Sequence, residues 1–247
     1  MANTTLTLLA AGSLRSAFLP LVAHFRQHTG TGGRCAVWPC RPAARADRSR
    51  VAVRGFASAN AAHPQALLQA GLAQECRGIC QQPADADRPA VAGQRWLDWL
   101  ALLSTPRLRL ATSTPGCDPS GDYTGSCSPE LRHAIRGLGN AMAGRAQQLV
   151  GGRDSLSVPP GEIAGAWLIR QNLADLFIGY AHYGPALAAC DDLRTLTIPA
   201  PWNIRCDYQL ARLRADPAAL ALYRFILGDV GQGYLRQAGF MPFSDAA

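Results

Sequence analysis

Three short loops combine serine, glycine and proline where a predicted strand gives way to a predicted helix. They are Gly12-Ser13, Pro119-Ser120-Gly121 and Gly161-Glu162. The first turn of a helix carries N–H groups without intrahelical acceptors and the positive end of the helix dipole, so it attracts an anion without a charged side chain. Ligands of open α/β sheets also bind at the carboxyl ends of strands. Ser13 alone is equally typical of a helix N-cap, but the three loops together favour a bound oxyanion.

Signatures of enzymes are missing from the sequence. It contains no G-x-S-x-G elbow, no P-loop and no H-E-x-x-H motif. Gly137-x-Gly139 lies in a predicted helix rather than after a strand, which argues against a dinucleotide site. The histidines (His24, His28, His63, His133 and His182) are scattered, and Asp191-Asp192 is typical of a solvated loop. We therefore expect a binding protein and not an enzyme.

The eight cysteines do not predict a metal site. Cys35 and Cys40 form a C-x4-C pair, and Cys76 and Cys80 form a C-x3-C pair, neither of which has the paired spacing of a zinc site. A disulfide framework is typical of small domains with little core, whereas 247 residues that are 48% hydrophobic supply an ample core. We expect no metal and no cofactor beyond a bound oxyanion.

Strand and helix patterns alternate along the chain, which predicts an α/β fold of mainly parallel sheets flanked by helices. Strands are expected at residues 5–11, 55–59, 107–111, 175–180, 193–198 and 208–213. Helices are expected at residues 14–25 (closed by Thr29-Gly30), 64–72, 96–103, 131–150 and 162–173, and from Asp216-Pro217 to residue 238 with one break, before Gly239. These elements place Gly12-Ser13 and Pro119-Ser120-Gly121 after predicted strands and Gly161-Glu162 at the start of a predicted helix.

The net charge of +7 suggests an anionic macromolecule as partner, but its distribution does not. All 24 basic residues are Arg, and six of them lie with one acidic residue in residues 31–55. The rest of the chain has 18 Arg and 16 acidic residues, and the six show no clear periodicity. A nucleic-acid-binding protein is therefore the weakest functional alternative, and salt-dependent retention on DNA would support it.

Residues 31–55 and 76–95 differ in composition from the rest, being rich in Arg, Ala, Pro and Gly and holding four of the eight cysteines. A Lys-free, Arg- and Ala-rich chain indicates a GC-rich gene, and an out-of-frame reading of such a gene yields this composition. We hypothesise that one or both segments are frame-shifted translation. The other two reading frames of the gene test this, and the hypothesis fails if neither encodes a strand followed by a helix.

The chain resembles the molybdate-binding component of bacterial ABC transporters in five stretches that occur in the family's order. They are LTLLAAGSLRSAFLPLVAHF, FASANAAHPQALLQAGL, RLRLATSTPGCDPSGDY, ADLFIGYAHY and YRFILGDVGQGYLRQAGF. The resemblance implies a two-lobed, type II periplasmic-binding-protein fold with the ligand in the cleft between lobes. Lobe 1 is expected at residues 1–83 and 194–247, and lobe 2 at residues 84–193. It also implies a monomer in the periplasm that delivers molybdate or tungstate to a membrane permease.

The resemblance assigns five candidate site residues. Ser13 in A-G-S-L matches a serine that gives its hydroxyl and backbone N–H to the oxyanion, and Tyr180 in F-I-G-Y matches a tyrosine that donates its hydroxyl. Ser120 stands where the family has a small residue that donates its backbone N–H, and Glu162 falls near a further backbone donor. Ser58, in the F-A-S-A turn, is expected to support the hinge or to touch the site indirectly.

The family's binding loop after its second strand falls in residues 31–55, where we find no counterpart. The expected strand and helix are missing at the position where the composition changes. This departure from the family pattern agrees with the frame-shift hypothesis, and it leaves the affinity of the site open.

Donor groups suit molybdate because it is a fully deprotonated tetrahedral dianion that only accepts hydrogen bonds. A carboxylate facing it would repel it, so we expect the Glu162 side chain to point away. Sulfate is an alternative ligand, because the sequence does not set the size of the site. A cytoplasmic oxyanion sensor or storage protein is another alternative, because residues 1–11 carry no basic segment typical of an export signal.

Overall fold

The computed structural model describes residues 6–30, 33–37, 53–82, 95–125, 144–199 and 203–244. The chain divides into two compact units: unit 1 is Met1–Gln82 with Cys206–Ala247, and unit 2 is Pro83–Arg205. The sequence placed the return to the first lobe at residue 194. In the structure, Leu196 and Ile198 pack against a core cluster of Trp99, Leu103 and Leu110, so the segment up to residue 205 belongs to unit 2.

The elements are numbered in chain order over the described residues. The strands are β1 (Leu6–Ala10), β2 (Gly33–Val37), β3 (Val53–Ser58), β4 (Glu75–Gln81), β5 (Leu110–Ser113), β6 (Gln147–Val150), β7 (Leu176–Phe177), β8 (Asp207–Arg212) and β9 (Met241–Pro242). The helices are α1 (Arg15–Thr29), α2 (Ala62–Gln69), α3 (Arg95–Ser104), α4 (Pro119–Gly125), α5 (Ala164–Arg170), α6 (Gly184–Ala188), α7 (Pro217–Leu227) and α8 (Asp229–Gln237).

Unit 1 contains a six-stranded sheet in the order β2-β1-β3-β8-β4-β9. Strand β1 pairs in parallel with β2 and with β3, while β8 runs antiparallel to both β3 and β4. The expected parallel arrangement therefore holds for β1, β2 and β3, and β8 is the return strand. Because β1 and β3 are parallel neighbours, the segments that follow them leave the same edge of the sheet.

Two strands lie inside the segments of unusual composition. Strand β2 pairs with β1 from Leu6↔Gly33 to Ala10↔Val37, and β4 pairs with β8 along its length. The prediction that residues 31–55 lack the expected strand is therefore wrong. Residues 38–52 and 83–94 lie outside the described residues, so the frame-shift hypothesis stays a hypothesis for them.

The helix ends of unit 1 follow local sequence signals. Helix α1 ends at Gly30, whose φ of +64° lies in the left-handed region that favours glycine, and its N–H donates to the carbonyl of Arg26. Helix α7 starts at Asp216-Pro217, where the Asp216 carboxylate accepts the N–H of Ala219 at 2.8 Å. Gly228 separates α7 from α8, so the predicted helix with one break is confirmed.

Unit 2 contains a parallel three-stranded sheet in the order β6-β5-β7. The predicted strand at residues 175–180 shortens to β7, and residues 193–198 are irregular. The predicted helix at residues 131–150 is wrong for residues 147–150, which form β6, and residues 126–143 lie outside the described residues. Ala111, Val150, Leu168 and Ala174 form the core cluster behind this sheet.

Among the described residues, no helix combines the length and the apolar composition needed to cross a lipid bilayer.

Candidate functional site

Ser13 lies in a tight turn at the end of β1. The N–H of Ala11 donates to the carbonyl of Ala57 at 2.9 Å, which ties the end of β1 to β3, and a 3₁₀ turn at Gly12–Leu14 leads into α1. Ser13 is buried, with 6% of its surface exposed. Its side chain makes no capping hydrogen bond, so the interpretation of Ser13 as a plain N-cap is wrong.

The Ser13 hydroxyl instead receives a hydrogen bond from β8, which β3 separates from β1 in the sheet. Tyr208 on β8 donates its hydroxyl proton to Ser13 Oγ at 3.1 Å. The amide of Gln82 donates from Nε2 to the Tyr208 hydroxyl at 2.7 Å. This chain of hydrogen bonds, Gln82–Tyr208–Ser13, is called the relay below. Tyr208 and Gln82 were not among the predicted site residues, because 195 residues separate Tyr208 from Ser13 and no spacing in the sequence connects them.

Ser58 ends β3 and is fully buried. Its Oγ accepts the N–H of Asn60 at 3.1 Å and lies 3.3 Å from Nδ1 of His63, while the Asn60 side chain accepts the N–H of Ala62. These contacts hold the turn between β3 and α2. Ser13 therefore follows β1 and Ser58 ends β3, its parallel neighbour, and the Ser58 hydroxyl contacts Asn60 and His63 in the turn that follows.

In unit 2, Ser120 is the second residue of α4, the helix that follows β5 and its loop. Its backbone N–H donates to Asp118 Oδ1 at 2.9 Å. Asp118 and Pro119 thus form an N-cap and a first-turn proline, the same signal that starts α7. The N–H that the family resemblance assigned to the oxyanion is therefore accepted by a carboxylate of the chain in this structure.

Burial raises the pKa of the Asp118 carboxyl, and the negative charge of Asp122 raises it further. Hydrogen bonds from the Ser120 N–H and the Ser113 side chain act in the opposite direction, because they stabilise the carboxylate. An acceptor group thus lies in the loop where the sequence predicted donors alone. Glu162 was the only carboxylate that the sequence predicted near the site, and Asp118 is an additional one.

Tyr180 lies three residues after β7, at the start of the 3₁₀ turn Ala181–Tyr183. Its hydroxyl oxygen is buried, and its ring lies 5.8 Å from the His182 ring. Strands β5 and β7 are parallel neighbours, so Ser120 and Tyr180 both follow the same edge of the unit 2 sheet.

Glu162 lies in an exposed turn before α5, which begins at Ala164 rather than at residue 162 as predicted. Its N–H donates to the carbonyl of Pro159 at 3.2 Å. Glu162 is left out of the donor set proposed below, because its N–H is used within the turn and, unlike Ser120, it lies outside the helix that follows. Its side chain is exposed.

Cysteines in the described part of the chain include five free thiols, at Cys76, Cys80, Cys117, Cys190 and Cys206. Across the same residues, no group of three or more His, Cys, Asp or Glu side chains is arranged to hold a metal ion. Burial raises the pKa of Cys80 well above its ordinary value and that of Cys206 to about 12.

The raised pKa of Cys206 predicts a loss of stability at alkaline pH. The thiol ionises more easily in the unfolded chain than in the folded protein. The stability that the protonated thiol contributes is therefore complete below pH 9.0 and is lost as pH rises towards about 12. The free energy of unfolding of wild type is expected to fall between pH 8 and pH 10.5. In Cys206→Ala we expect this fall to be smaller by about 2 kcal/mol. Urea unfolding of both proteins at the two pH values measures this, and identical falls would contradict it.

Comparisons with known proteins were made for the whole chain. A family model described as "Bacterial extracellular solute-binding protein" matches residues 6–241. The chain is also 38% identical, over 193 residues, to an uncharacterised protein of Pasteurella multocida (strain Pm70). That match covers 76% of this chain and 78% of the other protein.

Among solved structures, the periplasmic molybdate-binding protein of Azotobacter vinelandii is similar, with a TM-score of 0.69 and 16% identity. The alignment covers 97% of this chain and 100% of that one. The sulfate-binding protein SubI from Mycobacterium tuberculosis H37Rv gives a TM-score of 0.66 at 16% identity and covers 97% of this chain and 87% of its own. At such identities the similarity shows a shared fold, and it confirms the predicted α/β fold class.

The family match extends over almost all of the chain and includes β2 and β4, which lie in the segments of unusual composition. The family is one of binding proteins rather than enzymes. The chain therefore belongs to the bacterial extracellular solute-binding proteins.

Proposed function

We propose that this protein binds a tetrahedral oxyanion, molybdate or tungstate, for uptake by an ABC transporter. The observation that carries the proposal is the environment of Ser13. A buried serine at the carboxyl end of β1 accepts a hydrogen bond from Tyr208, and the described residues offer no acceptor for its own proton. A hydroxyl held in this way donates to a ligand, as a dianion without protons requires.

Each unit has its own candidate donors. In unit 1 the candidate is Ser13, and in unit 2 the candidates are Tyr180 and Ser120, each at the carboxyl end of a parallel strand or at the start of the helix that follows. Ser120 stays in the proposal because of its place at the start of α4, although its N–H donates to Asp118 in this structure. Ser58 supports the site indirectly, by holding the turn between β3 and α2, and Glu162 is not one of the proposed donors.

Several arginines are already engaged with carboxylates, which supports a site made of neutral donors. Arg54 pairs with Asp216 at 3.0 Å, and Arg212 pairs with Glu75 at 2.6 Å. In unit 2, Arg109 binds Asp175 through both carboxylate oxygens, and this pairing lowers the pKa of Asp175 to about 2. Hydroxyl and amide donors bind an oxyanion through charge-assisted hydrogen bonds without a neutralising cation.

Sulfate is the second candidate ligand, because it is also a fully deprotonated tetrahedral dianion and the fold is shared with a sulfate-binding protein. The family resemblance in the sequence favours molybdate over sulfate. The two anions differ in size rather than in hydrogen bonding, so direct competition between them decides the assignment.

Thermal unfolding of the purified chain, with and without molybdate, tests the proposal. A ligand present at about 100 times its dissociation constant adds about 2.7 kcal/mol to the free energy of unfolding. We expect molybdate and tungstate to raise the unfolding midpoint more than sulfate does, and phosphate to have no effect. A cooperative transition that none of these anions shifts would contradict oxyanion binding, and a shift by sulfate alone would establish the second candidate.

The proposal also includes a periplasmic location and a membrane permease as partner. Cell fractionation tests the location, and recovery of the protein only in the cytoplasm would favour a sensor or storage role. The permease is tested by molybdate-dependent stimulation of ATP hydrolysis in a reconstituted molybdate permease. No stimulation by the loaded protein would contradict a role in transport.

A further inference from the structure

The hydrogen bonds of the relay determine that the Ser13 hydroxyl accepts from Tyr208 and keeps its own proton for donation. An amide NH₂ group is a donor only, so Gln82 Nε2 donates to the Tyr208 hydroxyl oxygen across their 2.7 Å contact. That contact uses a lone pair of Tyr208 and leaves the phenol proton for Ser13 Oγ, 3.1 Å away. Ser13 in turn accepts from inside the protein, and its proton is left for a ligand.

We propose that Tyr208 and Gln82 are positioning residues that hold the Ser13 hydroxyl as a hydrogen-bond donor and thereby select an oxyanion that carries no proton. This inference rests on the proposed function and deepens it. A protonated oxyanion needs an acceptor for its own O–H group. The Tyr208 proton occupies one of the two lone pairs of the Ser13 oxygen, which makes that oxygen a weaker acceptor.

Burial fixes each member of the relay in place. Tyr208 is fully buried, and Gln82 and Ser13 are 5% and 6% exposed. Burial raises the pKa of the Tyr208 phenol well above its ordinary value, so the phenol keeps its proton over the working pH range. The backbone N–H of Gln82 donates to the carbonyl of Cys206 at 3.1 Å, which holds Gln82 beside the start of β8, the strand of Tyr208. A donor held by such supporting contacts does not have to be ordered when the ligand binds.

A double-mutant cycle on molybdate affinity tests the relay. Titration calorimetry is performed on wild type, Tyr208→Phe, Ser13→Ala and the double variant. Losing one neutral hydrogen bond costs about 3- to 10-fold in affinity, so Tyr208→Phe is expected to weaken binding by that factor. Because Tyr208 acts through Ser13, the double variant is expected to bind within about twofold of Ser13→Ala alone.

Tyr223→Phe is the matched control. Tyr223 is also a buried tyrosine of unit 1, and its hydroxyl has no hydrogen-bond partner among the described residues. Tyr223→Phe removes a phenol oxygen, as Tyr208→Phe does, but it breaks no hydrogen bond of the relay. The affinity for molybdate is therefore expected to stay within twofold of wild type. Gln82→Met is a second relay variant, which keeps the side-chain length, removes the donor and is expected to weaken binding in the same direction as Tyr208→Phe.

Selectivity is a readout that a purely structural role would not change. Without the Tyr208 proton, both lone pairs of the Ser13 oxygen are open to the O–H group of a protonated anion. We therefore expect Tyr208→Phe to lower the ratio of molybdate to hydrogen phosphate affinity about 3- to 10-fold, while the ratio of molybdate to sulfate stays unchanged. Sulfate serves as the comparison because it carries no proton either.

The outcomes separate the relay from the proposed function. If wild type binds molybdate and Ser13→Ala weakens it, but Tyr208→Phe and Gln82→Met bind like wild type, the relay is overturned and the proposed function stands. Additive losses in the double variant, or a fall in both selectivity ratios, also overturn the relay. If wild type binds no oxyanion, or Ser13→Ala binds like wild type, the proposed site and the relay fail together. Unfolding midpoints of all variants show that each is folded at the temperature of titration.

Discussion

Replacing Ser13 with alanine is expected to weaken molybdate binding about 10- to 140-fold, the range of about 1.5–3 kcal/mol for a hydrogen bond to a charged group. The loss is large because Ser13 is buried at the end of β1 and its hydroxyl is held as a donor. Alanine fills the same turn without strain, so the protein is expected to fold. Titration of both proteins at fixed ionic strength measures the change.

Ser104→Ala is the control for this experiment. Ser104 is an exposed serine at the end of α3 in unit 2. Its replacement removes the same hydroxyl oxygen at a position that is not one of the proposed donors. We expect its affinity to equal that of wild type. Equal affinities for wild type and Ser13→Ala would remove Ser13 from the site, whatever ligand the protein binds.

Replacing Gly121 with alanine is expected to lower the free energy of unfolding of unit 2 by about 2–3 kcal/mol. A Cβ atom at Gly121 would lie 2.5 Å from the carbonyl carbon of Thr114 and 2.6 Å from the nitrogen of Pro115. Both are backbone atoms, so α4 has to move away from the loop that follows β5. Chemical denaturation measures the loss, and the movement also displaces Ser120, so weaker molybdate binding is expected with it.

Gly144→Ala provides the matched control in the same unit. Gly144 is exposed and helical, and a Cβ atom there meets no other atom within 4 Å. The change is expected to leave stability unchanged or to raise it slightly, because alanine favours helix more than glycine does. If Gly121→Ala is no less stable than Gly144→Ala, the close approach of α4 to the loop after β5 is not required for the stability of unit 2.

The sequence predicted the parts of the fold that local signals specify. The path from β1 through the turn to α1 and Gly30 is one such part, since an apolar strand, a glycine turn and a left-handed glycine cap all act over a few residues. The start of α7 at Asp216-Pro217 is another. The same signal at Asp118-Pro119 was overlooked, and it would have shown that the Ser120 N–H has an acceptor within the chain.

The composition of β2 gave no indication of a strand. Its residues, GRCAV, lie in an Arg-rich stretch that suggested a reading error, yet they pair with β1 in a regular parallel register. Pairing with an apolar neighbouring strand decides such a short segment more strongly than its own residue types do. The same reason applies to β6, whose residues QQLV were predicted as the end of a helix.

The sequence by itself determined the α/β class, the helix ends at Gly30 and Asp216-Pro217 and the position of Ser13 at the end of the first strand, because these depend on neighbours along the chain. Only the tertiary structure decided what Ser13 does. Its hydroxyl accepts from Tyr208 on β8, and Tyr208 in turn accepts from Gln82, which follows β4. Hydrogen bonds between residues so far apart in sequence depend on the order of strands in the sheet, and strand order is set by packing that no local pattern encodes.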